Sequence, residues 1–172
     1  MTEPNAFFVY GTLKKKQLRG GMWPRQPASV VPGVVRARLF DLGPYPAALN
    51  GDVWLLGEIW QFQHLDLAET KRVLDQIEGY EPGASNNEYV RDVVDAHCVF
   101  PENCISAEDP DSTISCWMYL SPNQDLLVGK REIVPFCSLS DVFSTVEKDW
   151  GNEKVAFWPD PKARVPRSFS EE

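Results

Sequence analysis

Histidine is nearly missing from this sequence: His64 and His97 are the only two in 172 residues. Any Ser-His-Asp or Cys-His system would have to rest on one of them, and neither neighbourhood looks like a nucleophile site. The chain also lacks a G-x-S-x-G elbow, a P-loop and a G-x-G-x-x-G turn, the signatures of α/β-hydrolase and nucleotide sites. Its four cysteines, Cys98, Cys104, Cys116 and Cys137, form no C-x-x-C pair that two histidines could complete into a zinc set. No metal is expected, and His97 beside Cys98 reads as a strand residue next to a buried thiol. No apolar run approaches membrane-spanning length, so no membrane partner is expected. The polar first residues lead straight into an apolar strand without a visible secretory leader, which makes a cytoplasmic location the expectation and disulfides improbable. Positive charge is scarce as well, with 17 basic against 25 acidic residues and a net charge of −8. The one compact basic group, Lys14-Lys15-Lys16 with Arg19, reads as a solvated turn or short helix, and no nucleic-acid partner is expected.

What the chain has is apolar and aromatic strand material. The hydrophobic fraction is 43%, with six Trp, five Tyr and nine Phe, and the length fits a single domain over residues 1–172. Phe7-Phe8-Val9-Tyr10 reads as a buried strand that breaks at Gly11-Thr12. Residues 30–42 read as a strand, Gly43-Pro44-Tyr45-Pro46 as a rigid turn and Ala47-Ala48-Leu49 as a short strand. Asn50-Gly51 then signals a hairpin into a strand over 53–62, interrupted by Glu58. One helix is well marked: Asp66 with Glu69 suggests a capping box, Leu67, Leu74 and Ile77 form an apolar stripe, and Gly79 stops it. Further strands are expected over 89–100 and 114–120, an exposed acidic loop over 101–111, a short helix from Asp141 to about Trp150, and a frayed tail over 168–172. Short strands, one clear helix and abundant turn chemistry give an α+β class on a curled or barrel-like mixed sheet.

With histidine, metal and nucleophile motifs set aside, catalysis would fall to carboxylates and backbone amides. Glu78 stands out because it sits at the C-terminal end of the helix, where the macrodipole and any loss of solvent both push a carboxyl pKa upward. A carboxyl nearer neutrality is a better two-way proton carrier. The alternative reading makes Asp75, Glu78 and Glu81 one solvated acidic patch. The second feature is Tyr10-Gly11-Thr12-Leu13, where a strand breaks into a turn whose N–H groups can converge on an anion; an ordinary turn is the alternative.

Five segments in order resemble the γ-glutamylcyclotransferase-like family, in its branch near the γ-glutamylamine cyclotransferases and plant avirulence-induced proteins. They are Phe8-Val9-Tyr10-Gly11-Thr12-Leu13, Leu42-Gly43-Pro44-Tyr45-Pro46-Ala47 and Leu56-Gly57-Glu58-Ile59-Trp60. Leu74-Asp75-Gln76-Ile77-Glu78-Gly79-Tyr80 with Tyr89-Val90-Arg91 comes next, and then Cys116-Trp117-Met118-Tyr119-Leu120. The resemblance spans residues 8 to about 120 and leaves 122–172 as a C-terminal extension. It implies a small mixed β-barrel with flanking helices and an enzyme that cyclises a γ-glutamyl group to 5-oxoproline without a cofactor. By the same resemblance Glu78 is the catalytic acid/base, Tyr10, Gly11, Thr12 and Leu13 bind the substrate's α-carboxylate end, and Tyr89 lines the pocket or donates a hydrogen bond. The expected partner is a small γ-glutamyl substrate and the expected state a monomer. A module that binds a γ-glutamyl or other carboxylate ligand without turning it over is the competing reading.

Overall fold

The computed structural model describes residues 3–103, 113–146 and 148–159. In chain order its elements are β1 (Ala6–Val9), β2 (Ser29–Asp41), β3 (Pro46–Gln61), α1 (His64–Ile77), β4 (Val90–Cys98) and β5 (Ile114–Leu120). After them come β6 (Arg131–Ile133), β7 (Cys137–Ser138), α2 (Leu139–Val142), α3 (Lys148–Gly151) and β8 (Lys154–Ala156). The strands pair in the order β2–β4–β5–β1–β3, and β3 pairs back onto β2. That return closes a five-stranded barrel, in which only the β1–β5 pairing is parallel. Closure leaves these five strands no free edge. β6 extends the sheet beside β2, while β8 lies parallel to β3 with β7 beyond it. The mixed barrel with flanking helices is the architecture expected from the sequence.

Alternation on β1 sets up the layers. Ala6 and Phe8 join the cluster inside the barrel with Val35, Leu39, Ile59, Cys116 and Met118. Phe7 and Val9 face the other way and pack with Trp60, Phe62, Leu67 and Leu74, so α1 lies against the outside of the barrel wall. Being buried on both faces explains why β1 is an unbroken apolar run rather than an alternating one. Helix α1 starts earlier than the capping pattern suggests. Its N-cap is Gln63 and makes no side-chain cap bond, while Asp66 lies within the first turn and Glu69 pairs with Arg72. Docking of Leu67 and Leu74, each fully buried side chain contributing about 1.5–3 kcal/mol, outweighs a missing cap. The stop signal acts as read. Gly79 has φ +66°, its N–H bonds Gln76 C=O at 3.3 Å, and Tyr80 N–H bonds Asp75 C=O at 2.9 Å.

Other expectations change. Asn50-Gly51 is no hairpin turn, because β3 runs through it and the register against β2 jumps from Ala37–Asn50 to Arg36–Trp54. Glycine is needed in that bulge, since a Cβ at Gly51 would stand 2.5 Å from Arg38 Cγ. The hairpin itself turns at Gly43-Pro44, where Leu42 N–H bonds Tyr45 C=O. The helix expected over 141–150 is two short ones, α2 and α3, broken where Phe143 leaves helical geometry. Cys98 is disulfide-bonded, against the expectation of free thiols, whereas Cys116 carries a free and buried one. Sequence spacing does not report a bond that depends on tertiary approach. Within the loop expected over 101–111, residues 101–103 form a single 3₁₀ turn, and the remainder lies outside the described residues, as does the tail over 168–172.

Candidate active site

The Schellman end of α1 and the turn after β1 face one another. Glu78 and Thr12 line two cavities together. A small one of about 30 Å³ is bounded by residues 8–13, Glu78 and Tyr119. A larger one of about 340 Å³ is walled by Leu18, Arg19, Pro44, Tyr45, Ile77 and Tyr89, with Glu88 alongside. Tyr10, Gly11 and Leu13 therefore face the inner space, Tyr89 faces the outer one, and Thr12 and Glu78 sit at the junction.

Burial pushes the Glu78 carboxyl up to about 7 from an ordinary 4.5; Arg19 works against that rise and Glu88 adds to it. Loss of solvent is the largest physical cause. The surrounding phenols are no competitors for the proton, because burial raises Tyr10, Tyr89 and Tyr119 above their ordinary value, with the Glu78 charge acting in the same direction. Their hydroxyls are committed elsewhere. Tyr10 Oη–H donates to Tyr119 C=O at 2.6 Å, Tyr89 Oη–H to Pro46 C=O at 2.7 Å, and Tyr119 Oη–H to Asp75 Oδ1 at 2.6 Å. Tyr89 is a wall whose hydroxyl points at the backbone.

Outside the ladders, the turn spends its carbonyls on itself. Gly11 C=O accepts from Lys14 N–H at 3.1 Å and Thr12 C=O from Arg19 N–H at 2.7 Å. Among the described residues, the N–H groups of Gly11, Thr12 and Leu13 donate to none of the turn and loop acceptors. Such amides, gathered at a buried turn, suit an anion. Gly11 is required by contact, not by a left-handed φ: a Cβ there would stand 2.8 Å from both Cγ and Cδ of Pro46. Two braces hold the chain just beyond the turn. Trp23 Nε1–H donates to Leu13 C=O at 3.0 Å while its ring stacks on Trp60 at 4.1 Å, and Glu58 Oε1 accepts from Lys15 N–H at 2.8 Å. The glutamate that interrupts β3 is a clamp for the loop after the turn.

Asp75, Glu78 and Glu81 do not form one acidic patch. Asp75 accepts from Arg91 Nε at 2.8 Å and Nη2 at 3.2 Å, with the two side chains only 17% and 12% exposed. Arg91 also lies over the Trp117 ring at 4.5 Å. This lattice ties the last turn of α1 to β4 and β5, and so sets the direction in which Glu78 enters the cavity. Glu81 is exposed. Among the wall residues that escaped the sequence reading of the site are Arg19, Tyr45 and Glu88. Arg19 is set apart from the neighbouring lysines by folding back, so that its Nη1–H reaches Ile77 C=O at 3.5 Å, one residue before Glu78. No local pattern announces that return; Tyr45 at least belongs to a segment already singled out.

The gamma-glutamyl cyclotransferase, AIG2-like family model matches residues 7–135. No curated protein matches the chain. Among solved structures, an aig2-like protein of Mus musculus is similar at 17% identity and TM-score 0.53, over 97% of this chain and 94% of that one. The Arabidopsis thaliana protein At5g39720.1 is 22% identical over 70% of both chains, with TM-score 0.48. YkqA of Bacillus subtilis is 17% identical with TM-score 0.47 over 69% of this chain, which spans only 36% of the YkqA length. With the family model covering every segment that builds the two cavities, the chain belongs to the gamma-glutamyl cyclotransferase, AIG2-like family.

Proposed function

We propose that the chain is a γ-glutamylcyclotransferase-type enzyme releasing 5-oxoproline from a γ-glutamyl amine, amino acid or isopeptide. The observation that carries this reading is a buried carboxyl, Glu78, held at about 7 on the wall it shares with the Gly11 turn.

The substrate enters with its α-carboxylate on the turn amides of Gly11, Thr12 and Leu13, which places its ammonium beside Glu78. Glu78 as carboxylate removes one ammonium proton. Transfer from the ammonium is less uphill the closer the acceptor's pKa lies to its own, and raising Glu78 from 4.5 to about 7 lowers that cost by about 3 kcal/mol. The freed amine attacks its own γ-carbon and the carbonyl π pair moves onto oxygen, giving a tetrahedral oxyanion. Tethering of the nucleophile removes on the order of 7–11 kcal/mol of the entropic barrier. As the oxyanion collapses, Glu78 gives its proton to the departing nitrogen and the C–N bond to it breaks. The ring nitrogen's extra proton passes to the released amine, and the products are a lactam and a protonated amine. Glu78 ends ionised, as it began. The leaving group occupies the outer cavity between Tyr45, Leu18 and the two rim charges, Arg19 and Glu88.

Incubation with a panel of γ-glutamyl amines, amino acids and isopeptides, read by mass spectrometry for 5-oxoproline, tests the reading. Wild type should release it and Glu78→Gln should not. Tight binding by both proteins without product from either would leave a binding module in its place.

A further inference from the structure

A third cavity, of about 360 Å³, shares no wall residue with the two that Glu78 lines. We propose that it binds a small carboxylic acid with an apolar body, held by the Lys14 and Lys15 ammonium groups at one edge. The apolar half comes from two sources. Val30, Val31 and Leu56 are barrel residues, whereas Val142, Phe143 and Phe157 come from chain beyond residue 135, where the family match ends. The pocket is thus partly built by chain outside the family match, and its size is that of a ligand cleft.

The charge at its edge fixes the sign of the ligand. Lys14 Nζ donates to the Trp158 carbonyl and makes no ion pair among the described residues. Burial lowers its pKa, and the field of Glu58 opposes that fall. A half-buried ammonium served by one neutral carbonyl is undercompensated for lost solvent, and a carboxylate supplies what is missing. Glu58 faces the same space, but its Oε1 already accepts from Lys15 N–H and, at 3.0 Å, from Trp60 Nε1–H. Two lysines against one hydrogen-bonded glutamate leave the edge positive.

Methyl-resolved NMR titration with 3-phenylpropionate, the neutral 3-phenylpropanamide and 3-phenylpropylamine tests the site. The acid should bind at least tenfold tighter than the amide or the amine and move the methyls of Val30, Val31, Leu56 and Val142. Lys14→Met should erase the preference for the acid, and Phe143→Trp, which fills the pocket, should lower affinity at least tenfold. Glu78→Gln should bind unchanged, so failure of the catalytic reading does not touch this one. The proposal is overturned by no saturable binding, by equal affinity for acid and amide, by shifts confined to Leu18 and Ile77, or by full affinity in Phe143→Trp. Should Lys14→Met fold poorly, the three-probe series on wild type still decides.

Discussion

Holding the Glu78 carboxyl away from water should destabilise the fold, and that cost is measurable without substrate. Its carboxyl titrates at about 7 in the folded chain against 4.5 as an ordinary glutamate. The folded state therefore binds the proton more tightly than the unfolded state between these two values. Stability contributed by the protonated carboxyl is complete below 4.5 and is lost as pH rises through 7. At 1.36 kcal/mol per pKa unit, the gap amounts to about 3 kcal/mol at pH 8. Glu78→Gln has no charge to bury and escapes that loss. Relative to wild type it should gain nothing below pH 4.5, gain progressively from there to 7, and level off at about 3 kcal/mol, roughly 6–12 °C in Tm for a chain of this size. Urea denaturation and thermal melts of both proteins from pH 4 to 8.5 measure the difference. A gap between variant and wild type that stays constant across this range would refute the reasoning, because it would mean that Glu78 is solvated. The same substitution should abolish 5-oxoproline release, so one residue would report stability and activity moving in opposite directions.

Arg19→Gln should move the acidic limb of the kcat/KM–pH profile to higher pH, since Arg19 holds the Glu78 pKa down while Glu88 and burial raise it; a limb that stays put would count against the contact. Gly11→Ala should cost about 1–3 kcal/mol in urea denaturation by driving a methyl into Pro46, and should raise KM for any γ-glutamyl substrate. An unperturbed KM would remove the turn from the binding site. Asp75→Asn leaves Arg91 without its carboxylate, and a loss of about 3 kcal/mol with a fall in kcat is expected if this lattice aims Glu78. Normal kcat in a folded Asp75→Asn protein would show the lattice to be structural only.

Much of the site is legible in the sequence because its parts are short and local. A strand ending in Tyr10-Gly11-Thr12-Leu13 and a helix stopped by Gly79 are both set by neighbouring residues: an apolar run for one, a left-handed glycine for the other. The order of the five segments carries the family, and with it the barrel. What those segments do for one another is not local. Pro46 is both the atom wall against Gly11 and the acceptor for Tyr89, and Asp75, Arg91 and Tyr119 meet only after three elements pack. Asn50-Gly51 looks like a turn by composition and becomes a bulge because β2 continues alongside it on both sides.

Taken alone, the sequence determined the α+β class, the end of α1, the position of Glu78 on it and the glycine turn after β1. The tertiary structure decided what makes Glu78 unusual. Its pKa depends on how much water the barrel wall excludes and on Arg19 and Glu88, which approach from other parts of the chain. Solvent exclusion and through-space charge are sums over neighbours in three dimensions, and no run of adjacent residues encodes them.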